Sequence, residues 1–115
     1  MQNARRRPLF AVIVANRSML PTLRPDDCLV VRRPGRTRPG HVVVARFAAR
    51  PELLVVKRAV RPVDGGWWLE SDNPLVTDDS RRYGAAEVVG RVVLRYWPLP
   101  PSVLLRRGSQ ARPSR

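Results

Sequence analysis

A chain of 115 residues holds one domain, and a hydrophobic fraction of 43% is ample for its core. The 12 prolines and 7 glycines speak for turns rather than long helices, and the lone Cys28 excludes an intramolecular disulfide or a paired-cysteine metal knuckle and fits a reducing compartment. The formal net charge of +13 invites a nucleic-acid partner, but the cations are scattered, with no helical basic stripe and no aromatic-interleaved basic run, so no specific nucleic acid is expected.

In chain order, residues 1–8 are polar and basic and are expected to be disordered. Arg5-Arg6-Arg7 ahead of the apolar run Leu9–Ala15 has the outline of a signal peptide. The run is at the bottom of the length range, far too short to span a bilayer, and no small-residue cleavage site precedes Asn16-Arg17. It reads as a first strand, rich in β-branched residues, of a cytoplasmic protein without a transmembrane anchor. Ser18–Asp27 is a loop with two prolines, Cys28–Arg33 a second strand, Pro34–Gly40 a basic connector, and His41–Phe47 a third strand. Leu53–Val60 is a fourth strand; Asp64-Gly65-Gly66 signals a hairpin that returns through Trp67-Trp68-Leu69. Ser71–Gly84 is too long and polar for a mere connector. Glu87–Trp97 is a last strand with Gly90 as a bulge, and Pro98–Arg115 is a basic, Pro- and Arg-rich frayed tail. Short strands without an amphipathic helix make an all-β domain over 9–97.

Among 22 basic residues one alone is lysine, Lys57. Arginine stays protonated and cannot act as a base near neutral pH, whereas a desolvated lysine can. Strand periodicity places Leu53, Val55 and Lys57 on one face, which leaves the amine poorly solvated. A neutral amine could take the proton of a serine hydroxyl, and Ser18 stands where the first apolar strand stops. A lysine snorkelling from a strand edge explains the same pattern. His41, the sole histidine, would have to sit beside Ser18 for a Ser-His-Asp triad, or beside Cys28 for a thiol dyad; a surface role and a core cysteine are the plainer readings. Asp72, Asp78 and Asp79 could suggest a metal loop, but nearby Arg81 and Arg82 favour ion pairing, and no metal or cofactor is expected.

Together these residues resemble the signal peptidase I family of serine-lysine proteases. Ser18-Met19-Leu20-Pro21-Thr22-Leu23 is similar to its nucleophile motif, with Asp27 where that motif runs on toward a strand. Arg38-Pro39-Gly40-His41-Val42-Val43-Val44 is similar to the next segment, with His41 in place of an aspartate, and Val56-Lys57-Arg58 to the general-base segment. Ser71-Asp72-Asn73, Asp79-Ser80-Arg81 and Tyr83-Gly84 match the following motif, with Ser71 in place of a glycine, and Gly90-Arg91-Val92 fits the next strand. Within the family the chain looks most like the short branch of nickel-type superoxide dismutase maturation proteases, through Leu53-Leu54-Val55-Val56-Lys57-Arg58-Ala59, Gly66-Trp67-Trp68 and Asp72-Asn73-Pro74. The resemblance implies the coiled all-β fold shared with LexA-like proteins. It also implies Ser18 as nucleophile, Lys57 as general base, and an oxyanion hole of the Ser18 N–H with Asn16. Thr77 would orient the lysine, and Asp72, Asn73, Asp79 and Arg81 would form a structural loop. The implied substrate is a precursor whose N-terminal leader is removed, the nickel-type dismutase precursor first. Alternatives are other preproteins or a non-catalytic basic binding module.

Overall fold

Apolar, β-branched runs separated by glycine and proline turns form strands, and those strands pair in one sheet. The computed structural model describes residues 8–33 and 36–106. The expectations for residues 1–7, for Pro34 and Gly35 and for residues 107–115 lie outside the described residues. The strands are β1 (Leu9–Ile13), β2 (Cys28–Arg32), β3 (Val42–Phe47), β4 (Val55–Val63), β5 (Gly66–Glu70), β6 (Ala86–Trp97) and β7 (Ser102–Val103), with one helical turn, α1 (Ser80–Tyr83). The fold is all-β, as its composition implies.

The sheet runs β1-β2-β6-β3-β4-β5 with antiparallel pairings, and β7 adds to β6. The twelve-residue β6 is its spine, pairing with β2, β3, β5 and β7. Because Trp67 of β5 returns to Ala86 of β6, strands β3 to β6 close on themselves. Gly66 permits the closure: its φ is 146°, and a Cβ there would lie 2.2 Å from the Ala86 carbonyl oxygen. At Gly90 a Cβ would lie 2.7 Å from Val31 Cγ1, so the glycine lets β2 lie close against β6. The ladder with β3 shifts register beside it, between Val44 and Ala45.

β3 is buried on both faces, as its unbroken Val42-Val43-Val44-Ala45 run requires. Val43, Ala45 and Phe47 join Ala59, Leu69 and Ala86 in one cluster. Val42 and Val44 join Val14, Met19, Leu23, Leu29, Val31 and Val92 in the other. Each fully buried valine, leucine or phenylalanine contributes about 1.5–3 kcal/mol over its exposed state, so these clusters fix the strand positions.

Several boundaries differ from the sequence reading. β4 starts at Val55 because Leu53 still closes the preceding turn, its N–H donating to Arg50 O, and it runs on to Val63. The long polar loop holds α1, capped by the Asp79 side chain. The tail is not frayed throughout: Ser102 and Val103 pair with Arg95 and Leu94, and Leu104 N–H donates to Val93 O. Leu104, packed against the core, holds this stretch on the ladder despite the prolines before it.

Candidate active site

The chain leaves β1 through Val14, whose N–H donates to Asp27 O at 2.9 Å, and turns at once into the loop that carries Ser18. Met19 and Leu23, each 1% exposed, sink into the core and hold that loop from below. A second segment clamps it from the side. Asn73 N–H donates to Ser18 O at 2.9 Å, and Asn73 Nδ2 to Arg17 O at 2.9 Å. Thr22 Oγ1 donates to Asp72 Oδ2 at 2.6 Å, and Arg58 grips the same carboxylate through both Nε and Nη2. Arg58 Nη1 reaches Gly40 O, so one guanidinium ties four parts of the chain. A bidentate guanidinium–carboxylate pair of this kind is directional as well as strong.

Lys57 sits on β4 next to that arginine. It is 4% exposed, Ser18 is 6% exposed, and both line one cleft of about 290 Å³. The other walls include Val12, Val14, Val44, Leu54 and Val56, all apolar. Burial therefore lowers the lysine pKa below its ordinary 10.5; the nearby Asp79 and Asp78 carboxylates oppose that shift and Arg81 adds to it. Lys57 Nζ donates to Ser71 Oγ at 3.0 Å. No hydrogen bond joins it directly to Ser18.

Ser71 owes its place to a strand irregularity. From the turn at Asp64 and Gly65, Val63 pairs Gly66, Pro62 pairs Trp67 and Arg61 pairs Trp68. The register then slips by one, so that Ala59 pairs Leu69 and Arg58 pairs Glu70. One step further, Lys57 faces Ser71. Without the slip it would face Asp72. Counting a plain hairpin from the glycine turn would have found the right neighbourhood but the wrong residue. Thr77, expected to orient the amine, is exposed, and the hydroxyl that Lys57 reaches is that of Ser71.

Asn16 also departs from expectation. Its Oδ1 accepts the Ser18 N–H at 3.1 Å, so this amide hydrogen is occupied by the side chain expected to work alongside it. The loop carboxylates are ion-paired: Asp72 with Arg58, Asp79 with Arg81, Asp78 with Arg82. Asp79 is fully buried, which pushes its carboxyl up. Hydrogen bonds from the Arg81 guanidinium, Ser71 N–H and Arg81 N–H outweigh that cost and hold it at about 2. It thereby anchors Ser71 by its backbone, while Ser80 Oγ accepts Leu69 N–H. His41 and Cys28 are not brought to Ser18. His41 lines a separate cavity that shares no residue with the cleft, and Cys28 Sγ donates to Asp26 O.

Two comparisons bear on this site. A sequence model for the Peptidase S24-like family matches residues 2–93. A curated relative, mitochondrial inner membrane protease subunit 1 of Xenopus tropicalis, is 30% identical over 115 aligned residues, covering 76% of this chain and 69% of the relative.

Proposed function

The chain belongs to the Peptidase S24-like family, and from that premise we propose that it cleaves peptide bonds through Ser18 and Lys57. It is a serine peptidase of the signal-peptidase type; the dyad and the substrate are the inference. The observation that carries the dyad is that a buried serine and a desolvated amine line one apolar cleft. Lys57 Nζ, neutral, takes the Ser18 proton as Oγ bonds to the scissile carbonyl carbon. The ammonium returns that proton to the leaving amine as the C–N bond breaks. Water then cleaves the Ser18 ester by the same route, its proton passing through Lys57. Ser71 Oγ, taking one Nζ hydrogen, turns the nitrogen lone pair toward Ser18, the role expected of Thr77.

The oxyanion needs donors where negative charge develops. A half-turn of the Asn16 amide would free the Ser18 N–H and offer Nδ2 in place of Oδ1, so substrate entry and completion of the hole become one event. β1 is the end strand of the sheet, and Val12 to Ala15 line the cleft. An extended substrate can add there as a further strand, its apolar side chains facing the valine walls.

For the substrate, the nickel-type superoxide dismutase precursor is supported by the Leu53–Ala59 and Asp72-Asn73-Pro74 segments, and a cytoplasmic location accompanies it. The test is incubation of that precursor with wild type, Ser18→Ala and Lys57→Ala. Leader release by wild type alone is expected; full activity in Ser18→Ala ends the dyad reading, and cleavage of unrelated preproteins but not this one moves the substrate. That second outcome has its own support. The Xenopus tropicalis relative is a membrane protease by name, and exposed Ile13, Leu53 and Leu54 line the cleft. No helix among the described residues is long and apolar enough to cross a membrane.

A further inference from the structure

A second cavity, larger than the cleft, lies away from Ser18 and Lys57. It encloses about 570 Å³, and its walls include Arg32, Arg36, Arg38, Arg91, Arg106 and His41, with no carboxylate and no Phe, Tyr or Trp ring among the described residues. We propose that this cavity is a binding site for a small phosphorylated anion carrying two or more phosphate groups, with His41 Nε2–H and Arg91 as its central donors.

The hydrogen bonds around His41 point to such a ligand. Arg38 N–H donates to His41 Nδ1 at 3.1 Å, so that nitrogen is the acceptor and the neutral ring carries its proton on Nε2. Arg91 Nη1 lies 3.5 Å from the same Nε2. Two donors thus face each other and neither can satisfy the other, whereas an anionic oxygen between them accepts both. Burial, with Arg91, Arg106 and Arg38 close by, lowers the His41 pKa, in keeping with a ring that stays neutral among cations.

The ion pairs among the described residues use Arg58, Arg81 and Arg82; Arg32, Arg36, Arg38 and Arg91 take no part in them. Planar guanidinium forks match phosphate oxygens bidentately, and a concave basic wall on a chain of net charge +13 concentrates anions. Several guanidiniums spread around one cavity fit a ligand of several phosphates better than a single carboxylate. A volume of this size is that of a small-molecule site. A nucleic-acid strand would ask for an open stripe with several stacking rings, whereas the described walls carry the His41 imidazole alone.

The full chain should be titrated calorimetrically with inorganic pyrophosphate and tripolyphosphate at physiological salt, alongside Arg91→Ala, Arg38→Ala and, as a control for overall charge, Arg61→Ala. Saturable one-to-one binding is expected, weakened at least tenfold in Arg91→Ala and Arg38→Ala and unchanged in Arg61→Ala. His41 is the sole histidine, so its ring nitrogen signals report the site directly and should shift with pyrophosphate in wild type. Absent saturation, equal binding by all variants, or an unmoved His41 signal overturns the proposal. So does Arg91-dependent binding of duplex DNA or of phosphatidylglycerol vesicles that pyrophosphate fails to displace, which would assign the cavity to a macromolecular or lipid surface. Peptidase activity is not used in any arm, so the result is independent of the Ser18 reading.

Discussion

The cleft at Lys57 and the cavity at His41 each bury a basic nitrogen and each lower its pKa, by opposite designs. At Lys57 the shift begins with burial among apolar walls, while Asp79 and Asp78 oppose it. At His41 burial is reinforced by Arg91, Arg106 and Arg38. The first arrangement suits an amine that must lose and regain a proton; the second surrounds a neutral ring with permanent charge and suits holding an anion. Arginine and lysine differ in whether a neutral form is reachable, and this chain places its single lysine in the first setting.

The largest effect is expected at the buried ion pair that fastens the cleft. Asp72→Ala leaves the Arg58 guanidinium, 9% exposed, without its carboxylate, and should cost about 3–5 kcal/mol in urea unfolding. Arg91→Ala removes no ion pair and should cost under about 1 kcal/mol in the same measurement. Equal losses would erase the distinction between the two regions.

Lys57→Arg makes the cleft resemble the cavity. A guanidinium has essentially no neutral form, so peptide cleavage should fall at least ~100-fold in a protein that stays folded. In wild type the rate should rise with pH through the lowered lysine pKa, because only the neutral amine accepts the proton. A Lys57→Arg enzyme within a few-fold of wild type would remove Lys57 from the mechanism.

Ser71→Ala should slow single-turnover cleavage about tenfold by loosening the amine's aim, with little change in substrate affinity. Thr77→Val should leave the rate near that of wild type; the reverse pattern would return the orienting role to Thr77. The smallest effect concerns stability. The folded-state pKa of Lys57 lies below the ordinary 10.5, so between that lowered pKa and 10.5 the unfolded chain holds more of the proton, and stability rises with pH through that interval. Lys57→Met removes that burden and should stabilise the inactive protein by about 1 kcal/mol near pH 7. A destabilised methionine variant would show that the amine is better accommodated than its burial indicates.

The sequence by itself determined the all-β architecture, because β-branched runs bounded by glycine and proline have few other ways to bury their side chains. It also singled out Ser18 and Lys57, one by its place after a strand and one by its rarity. It did not determine what stands beside them. Strand closure through Gly66 and the slip between Ala59 and Arg61 depend on how β4 twists to meet β5 while β5 reaches β6, a condition set by three strands at once. That slip decides whether the lysine faces a hydroxyl at Ser71 or a carboxylate at Asp72, and so how strongly its charge is opposed. Likewise Arg32, Arg38, Arg91 and His41, separated along the chain, share a cavity only once β2, β3 and β6 lie side by side. Local pattern reads the elements; one-residue register and the meeting of distant side chains belong to the packed sheet.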